Sequence, residues 1–200
     1  MTRGAPIFIA LALLIPAEAH AIRWTLGVAT ELTPVVIDPG RPDGLGAPVR
    51  LGVRPVVDLE LTRSVAISAY APFVVLRTGE GEGAASSGAE SVFGLGLALR
   101  YPVLFPDAPE ELLVYGAFRG GFGTISGRAG PYVSGAVGAA LTWLDTGRGV
   151  FSELSAGHFS ATRAPVEGGT RDVTRTSLTL TIGIVFRLGG ETWSVDRHKL

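Results

Sequence analysis

Along residues 49–61, apolar and polar residues alternate strictly. The odd positions are apolar: Val49, Leu51, Val53, Pro55, Val57, Leu59 and Leu61. The even positions are charged or small, except for one valine: Arg50, Gly52, Arg54, Val56, Asp58 and Glu60. Successive side chains of a β-strand point to opposite faces, so this segment predicts a strand with one oily face and one polar face.

Other segments follow the same period of two, which gives eight predicted strands. They span residues 22–32, 47–61, 64–77, 91–101, 112–124, 132–144, 150–162 and 173–188. The glycine-rich fifth segment leaves its phase open, and the seventh alternates weakly. All eight reach the roughly 9–11 residues that a tilted strand needs to cross a bilayer. Pro55 and Pro72 lie inside segments and predict bulges or local breaks in the hydrogen-bond ladder.

Glycine and alanine on the polar faces indicate which way the faces point. Gly94, Gly96, Ala98, Ala136 and Gly183 suit the narrow lumen of an eight-stranded barrel better than a free surface. The oily faces then turn outward, toward lipid. The predicted fold class is therefore all-β, an eight-stranded antiparallel up-and-down transmembrane barrel. The alternative is a soluble periplasmic lipocalin-like binding barrel, with the oily faces inside and the charges solvated.

Residues 1–21 are typical of a cleaved signal peptide. Arg3 precedes an apolar run over residues 6–15, and Ala19-His20-Ala21 is a small-x-small cleavage site. The exported mature chain then begins near Ile22, and no later apolar stretch is long enough for a transmembrane helix. The absence of cysteine excludes disulfides and thiolate metal sites. A net charge of −1 argues against nucleic-acid binding, and no cofactor or metal motif is present.

The connections between the predicted strands alternate in character. Predicted outer loops span residues 33–46, 78–90, 125–131 and 163–172, and predicted inner turns span 62–63, 102–111 and 145–149. Long outside and short inside is typical of outer-membrane barrels. Aromatic residues near both strand ends predict the two girdles of such barrels. The inner set is Trp24, Tyr101, Tyr115, Trp143, Phe151 and Phe186, and the outer set is Phe73, Phe93, Phe122, Tyr132 and Phe159.

With these features, the chain resembles the small eight-stranded outer-membrane barrel proteins of Gram-negative bacteria over residues 22–188. The resemblance implies location in the bacterial outer membrane, contact with its lipid and lipopolysaccharide, and assembly by the barrel-insertion machinery. It favours a non-enzymatic role in envelope structure, adhesion or surface recognition. Such barrels commonly end on an aromatic residue, whereas here Phe186-Arg187-Leu188 is followed by residues 189–200, a predicted periplasmic tail.

The charged residues of the inward faces are the most specific candidates for a site. The predicted lumen charge network consists of Arg23, Glu31, Arg50, Arg54, Asp58 and Glu60, extended by Arg100, Arg119, Glu153 and Arg187. An antiparallel register places Arg23 near Glu60 or Asp58. Nearly the same register places Glu31 near Arg50. One interpretation is a gate or a porin-like path for polar solutes; the other is structural, since buried charges need partners.

His158 and Ser160 support an alternative hypothesis, an enzyme. They lie two positions apart on the lipid-facing side of the seventh predicted strand, and Asp172 or Glu167 in the next loop could orient the imidazole. The arrangement resembles in part the His-x-Ser segment of the lipid A deacylase barrels, which implies hydrolysis of an acyl chain from the membrane side. In that family an asparagine follows the serine, whereas this chain has Ala161. The structural alternative is an interfacial histidine packed near an aromatic ring.

Overall fold

The computed structural model describes residues 23–37, 50–77, 91–104, 110–125, 128–166 and 169–188. These ranges contain β1 Arg23–Ile37, β2 Arg50–Glu60, β3 Val65–Tyr70, β4 Phe73–Arg77, β5 Ser91–Leu104, β6 Glu110–Ile125, β7 Arg128–Trp143, β8 Arg148–Val166 and β9 Gly169–Leu188. In this part of the chain, no helix has the length and apolar character to cross a membrane. The predicted signal peptide, the predicted loop at 78–90 and the predicted tail lie outside the described residues.

The strands close into a barrel because the first and the last pair with each other. β1 pairs with β2 on one side and with β9 on the other, and every neighbouring pair is antiparallel. β3 and β4 lie end to end between β2 and β5, so the nine strands occupy eight positions around the barrel. The predicted eight-stranded antiparallel up-and-down barrel is confirmed. Among the described residues, every strand has a paired strand on both sides, as closure of a barrel requires.

The division between β3 and β4 follows from proline. Pro72 stands between these strands, and β2 changes its partner from β4 to β3 between Val53 and Val56. Pro55 lies at that change of partner, and neither proline has an amide hydrogen to donate to the ladder. On the other side, the Val92 amide of β5 donates to the Pro72 carbonyl oxygen at 3.3 Å. The two predicted irregularities therefore meet at one place in the wall, although β2 itself continues through Pro55.

The alternation turns apolar side chains outward and encloses charged and small ones. Leu180 and Ile182 of β9 are 40% and 60% exposed, whereas Arg50 and Glu60 of β2 are buried. The lipocalin-like alternative requires the opposite orientation, which the described strands do not have. The exterior of the barrel is thus apolar and its lumen is charged.

The phases of β6 and β8, which the sequence left uncertain, are set by their neighbours. In β6, Phe118 lies opposite Leu97 and is exposed, while Arg119 lies opposite Gly96 and is buried. In β8, Glu153 points into the lumen. Both strands therefore contribute long charged side chains to the interior.

Two predicted outer loops are wrong in extent, because strands cover most of residues 125–131 and 163–172. β6 and β7 pair as far as Ile125 and Arg128, and β8 and β9 pair as far as Val166 and Gly169. Glycine, proline and threonine in these segments suggest loops, but an antiparallel hairpin satisfies its backbone groups wherever the two strands remain opposed. We name this end of the barrel the hairpin end, and the end with the short turns at 61–64 and 144–147 the turn end.

Four of the predicted girdle aromatics point into the lumen instead: Tyr115, Tyr132, Phe151 and Phe159. Small residues across the sheet leave room for their rings. A methyl group added to Gly138 would approach Tyr115 Cζ to 2.5 Å, and one added to Gly183 would approach Phe151 Cε1 to 2.5 Å. The aromatic residues that are exposed near the two ends are Trp24, Tyr101 and Phe186 at the turn end and Phe73, Phe93 and Phe122 at the hairpin end.

Candidate functional site

The centre of the lumen is organised around Glu153, whose side chain is 1% exposed. Arg119 donates from Nη1 to Oε1 at 2.7 Å and from Nη2 to Oε2, a bidentate pairing. Arg54 donates from Nη1 to Oε1 at 3.0 Å, and the Tyr115 hydroxyl donates to Oε2 at 3.1 Å. Two guanidinium groups and a phenol thus surround one carboxylate. A buried charge of this kind is tolerated only when hydrogen bonds replace its hydration, as they do here.

Arg54 links this centre to a second carboxylate and to aromatic rings. Its Nε lies 3.5 Å from Glu31 Oε1, and its guanidinium carbon lies 5.3 Å from the centre of the Tyr70 ring. The guanidinium of Arg119 lies 4.9 Å from the same ring. Both distances fall within the range of cation–π attraction. Tyr70 therefore contacts the charged centre from one side.

A second set of ion pairs lies nearer the turn end. Arg100 Nη2 is 2.8 Å from Asp58 Oδ2, and Arg100 Nη1 is 2.9 Å from Glu60 Oε1. Arg187 connects two carboxylates, with Nε 3.4 Å from Glu60 Oε1 and Nη1 2.7 Å from Glu111 Oε2. The Thr25 hydroxyl also donates to Glu60 Oε1 at 2.8 Å. The carboxylates here share arginines, so the interactions form a network rather than isolated pairs.

The structure places the predicted lumen residues on the inner face, and the register between β1 and β2 sets their positions along the barrel. Arg23 lies directly opposite Glu60 in the β1–β2 register. Glu31 lies opposite Gly52, and Arg50 lies opposite Thr33, two positions further toward the hairpin end. Glu31 and Arg50 line the same cavity of the lumen, and Glu31 also forms an ion pair with Arg54.

Sequence reasoning missed several members of the site: Arg63, Tyr70, Glu111 and Tyr115. Arg63 lies in the turn before β3, and its Nη2 is 3.4 Å from Glu111 Oε1. From sequence, Tyr115 is predicted to lie in the inner aromatic girdle, on the lipid-facing side of its strand. Counting the phase of β6 from Arg119 would have placed Tyr115 and Glu111 on the inner face.

An aromatic layer lies between the charged centre and the hairpin end. The Tyr70 and Tyr132 rings are stacked, with centres 5.8 Å apart and planes 6° apart, and their hydroxyls are 3.4 Å apart. Phe159 and Ala161 complete this cluster.

Among the described residues, a small cavity lies in the lumen on each side of the aromatic layer. The cavity toward the turn end has a volume of about 60 Å³, and the cavity toward the hairpin end has a volume of about 70 Å³. Tyr70 lines both. Each has room for a few water molecules at roughly 10–15 Å³ per water. The side chains of the centre and of the aromatic layer thus fill the lumen between the two cavities.

His158 and Ser160 lie on the exterior side of β8, as the enzyme hypothesis requires. His158 Nδ1, however, is 3.1 Å from the Thr176 hydroxyl of β9, which stands directly opposite it. Ser160 stands opposite Thr174. Glu167 and the Asp172 side chain lie outside the described residues. The triad of His158, Ser160 and Asp172 stays a hypothesis. Within the described ranges, no group of three or more His, Asp or Glu side chains is placed to hold a metal ion.

Comparison with solved structures finds several matches of low sequence identity. Neisserial surface protein A matches with 7% sequence identity and a TM-score of 0.49, covering 82% of this chain and 96% of that one. Ail, the attachment invasion locus protein of Yersinia pestis, matches with 10% identity and a TM-score of 0.42, covering 84% and 99%. The outer membrane protein AlkL, determined in lipid bilayers, matches with 12% identity and a TM-score of 0.43, covering 90% and 98%. No protein-family model matches the chain, and no curated protein sequence matches it significantly.

The predicted eight-stranded architecture is confirmed by the described strands themselves, in which β1 pairs with both β2 and β9. The described residues define a closed barrel with an apolar exterior and a lumen filled by paired charges and aromatic rings.

Proposed function

We propose that this protein is a bacterial outer-membrane barrel with a non-enzymatic role in surface recognition, adhesion or envelope structure. The observation that carries the proposal is the exterior, to which all nine strands contribute exposed large apolar side chains. Soluble monomers rarely expose continuous apolar patches of more than a few hundred Å². A bilayer removes the unfavourable contact of this apolar exterior with water, because the hydrocarbon core of the bilayer contacts it directly.

The exposed aromatic residues support the same placement. Trp24, Tyr101 and Phe186 ring the turn end, and Phe73 and Phe93 belong to the ring at the hairpin end. Rings of this kind occupy the membrane–water interfaces of outer-membrane barrels. The hairpin end then faces the medium and the turn end faces the periplasm.

The hairpin of β8 and β9 supports a role at the cell surface. At the hairpin end, β8 and β9 pair with each other as far as Val166 and Gly169. We name this hairpin the arm. At the end of the barrel that faces the medium, it is accessible to a partner outside the cell.

The filled lumen favours a surface role over a solute channel. The aromatic layer of Tyr70, Tyr132 and Phe159 and the ion pairs of Glu153 lie between the two cavities. A path for solutes would need to displace these side chains and break the buried ion pairs, which is costly. We therefore expect no continuous conductance from the purified protein in a planar lipid bilayer.

The membrane assignment is tested by expressing the full chain in a Gram-negative host. The protein should fractionate with the outer membrane and migrate differently on a gel before and after boiling, because the closed barrel resists unfolding by detergent. Recovery from the soluble periplasmic fraction, with no difference between boiled and unboiled samples, would contradict the proposal.

The surface role is tested separately by removing residues 165–170 from the β8–β9 arm. This deletion joins Ala164 to Arg171, which already lie opposite each other, so the barrel should still form and show its heat-dependent migration. Adhesion of expressing cells to cultured epithelial cells should fall relative to the intact protein. Unchanged adhesion to every surface that the intact protein binds would contradict a recognition role for the arm.

A further inference from the structure

The exterior of the barrel contains a groove where three neighbouring strands carry small residues. Gly116 of β6, Gly135 of β7 and Ala156 of β8 lie along its floor. A methyl group added to Gly135 would meet no atom within 4 Å, so the floor is open toward the outside. The volume is about 610 Å³, within the roughly 300–1,000 Å³ of pockets that hold organic ligands. We name this concavity the exterior groove.

Protruding apolar side chains form the walls of the exterior groove. Phe118 lies opposite Gly135 on one side, and Leu178 lies opposite Ala156 on the other. Val137 of the lining is 63% exposed and Phe118 is 64% exposed. Association within a bilayer depends on van der Waals packing, since lipid tails are as apolar as the protein surface. A groove gives a hydrocarbon chain more atomic contacts than a flat wall does, and each contact adds to the attraction.

Polar side chains continue the same two strands from the groove toward the hairpin end. His158 follows Ala156 on the exterior side of β8, and its Nδ1 is 3.1 Å from the Thr176 hydroxyl of β9. Ser160 and Thr174 lie opposite each other two positions further on. We name these four residues the polar patch. Among the described residues, Nδ1 is the ring nitrogen of His158 with a hydrogen-bond partner, so Nε2 is left for an external ligand.

The polar patch differs from the rest of the wall at the same height. His158 lies opposite Val133, and the row continues through apolar positions to Leu95. Two positions nearer the hairpin end than Leu95, Phe93 belongs to the exposed aromatic ring that occupies a membrane–water interface. Two residues of a strand span about 7 Å. The patch therefore reaches the depth at which lipid head groups begin, and the exterior groove extends from it into the hydrocarbon.

We propose that the exterior groove binds acyl chains of a lipopolysaccharide molecule and that the polar patch binds its phosphate-bearing head group. The inference rests on the proposed function, in which the hairpin end faces the medium. The groove and the patch then lie in the outer leaflet, where lipopolysaccharide is the main lipid. Hydrocarbon contacts the whole exterior, but here a concave apolar surface adjoins a histidine that donates hydrogen bonds to phosphate oxygens.

The test titrates the full barrel, purified in a non-ionic detergent, with rough lipopolysaccharide and with phosphatidylethanolamine, and counts bound lipids by native mass spectrometry. We expect one lipopolysaccharide per barrel, retained at lower concentration than phosphatidylethanolamine. Gly135→Leu fills the groove and should weaken lipopolysaccharide binding about fivefold or more, the effect of losing about ten dispersion contacts. The matched control is Gly120→Leu, at a glycine outside the groove where an added methyl group also meets nothing within 4 Å. It should leave the affinity unchanged.

The polar patch provides a second, independent variant if Gly135→Leu fails to fold. His158→Leu removes the hydrogen-bonding ring and should weaken lipopolysaccharide binding about two- to tenfold. Its control is Ser152→Leu, at an exposed polar position of the same strand outside the groove, and this change should have no effect. Heat-dependent migration on a gel verifies that each variant is folded.

Four results would overturn the lipid site. They are no retention of lipopolysaccharide, equal retention of phosphatidylethanolamine, equal weakening by the control variants, and a barrel dimer that Gly135→Leu dissociates, since a second copy would then occupy the groove. Any of these from a barrel that fractionates with the outer membrane leaves the proposed function intact. Recovery of the barrel from the soluble periplasm would overturn both.

Discussion

The exterior and the lumen of this barrel are built from the same strands but obey different rules. On the exterior, residues such as Leu95, Leu99 and Ile184 are interchangeable members of an apolar surface. In the lumen, the Glu153 carboxylate accepts hydrogen bonds from Arg54, Tyr115 and Arg119. Glycines opposite aromatic rings are required there because the rings occupy the space that a larger residue would need. We therefore expect the exterior to tolerate substitution of one apolar residue by another, and the lumen to tolerate few substitutions of any kind.

The largest expected effect is in the lumen, at Glu153. Glu153→Gln keeps the shape of the side chain but leaves Arg119 and Arg54 without their shared counter-charge. Breaking a buried ion pair by removing one partner costs about 3–5 kcal/mol. Urea unfolding of the barrel in lipid vesicles measures this loss of free energy of unfolding. Asp145→Asn, in the exposed turn before β8, is the control and should change stability by less than about 0.5 kcal/mol. Equal effects of the two variants would contradict the central role of Glu153.

The exterior should respond to charge according to depth. Ile182 lies near the middle of the wall, opposite Thr30 and Ser152, and is 60% exposed. Ile182→Arg should cost about 2–4 kcal/mol in vesicles if this position faces the middle of a bilayer.

The control for the exterior is Leu188→Arg, at the turn end of the same strand. It should cost about 0–1 kcal/mol, because arginine at the interface remains hydrated. An equal loss of free energy of unfolding at both positions would argue that no bilayer surrounds the barrel.

Two glycines of β7, one in the lumen and one on the exterior, should differ in their response to alanine. A methyl group at Gly138 would lie 2.5 Å from Tyr115 Cζ, inside the lumen, whereas a methyl group at Gly135, on the exterior, meets nothing within 4 Å. Gly138→Ala should destabilise by about 1–3 kcal/mol through overpacking. Gly135→Ala should be neutral or stabilise by about 0.5–1 kcal/mol, since alanine restricts the unfolded chain. Thermal or urea unfolding of both variants measures the difference, and its reversal would contradict the assigned faces.

The sequence predicted the exterior well because a period of two is a local property. The outward phase of Leu180 and the inward phase of Arg50 both follow from their neighbours in the chain. The partners in the lumen are not local: Glu153 meets Arg54 and Arg119 only because of how the barrel closes and how far each side chain reaches. An aromatic side chain such as that of Phe159 can lie either on the exterior or in the lumen. Which of the two it takes depends on whether its neighbour across the sheet is a small residue or another ring.

The extents of the hairpins were unpredictable for a related reason. Pro131 and Gly130 suggest a loop by composition, yet they lie in β7 opposite Phe122 and Gly123. Composition reports the local preference of a segment, whereas pairing depends on the partner strand that lies beside it. The alternation of the wall and the extent of the hairpins therefore differ in how far the local sequence determines them.

The smallest expected effect tests how the aromatic layer is stabilised: by apolar packing, as the exterior is, or by hydrogen bonds, as the charged centre is. The Tyr70 and Tyr132 hydroxyls are 3.4 Å apart, a long hydrogen bond, while their rings stack at 5.8 Å. Tyr70→Phe and Tyr132→Phe keep the stack and remove the hydroxyls, so each should cost about 0.5–1.5 kcal/mol at most. A double-mutant cycle isolates the hydroxyl–hydroxyl interaction, and we expect a coupling of about 0.5 kcal/mol. A coupling near zero would mean that water in the two cavities serves both hydroxyls equally well, and that the layer is held by ring packing, as the exterior is held by apolar contact.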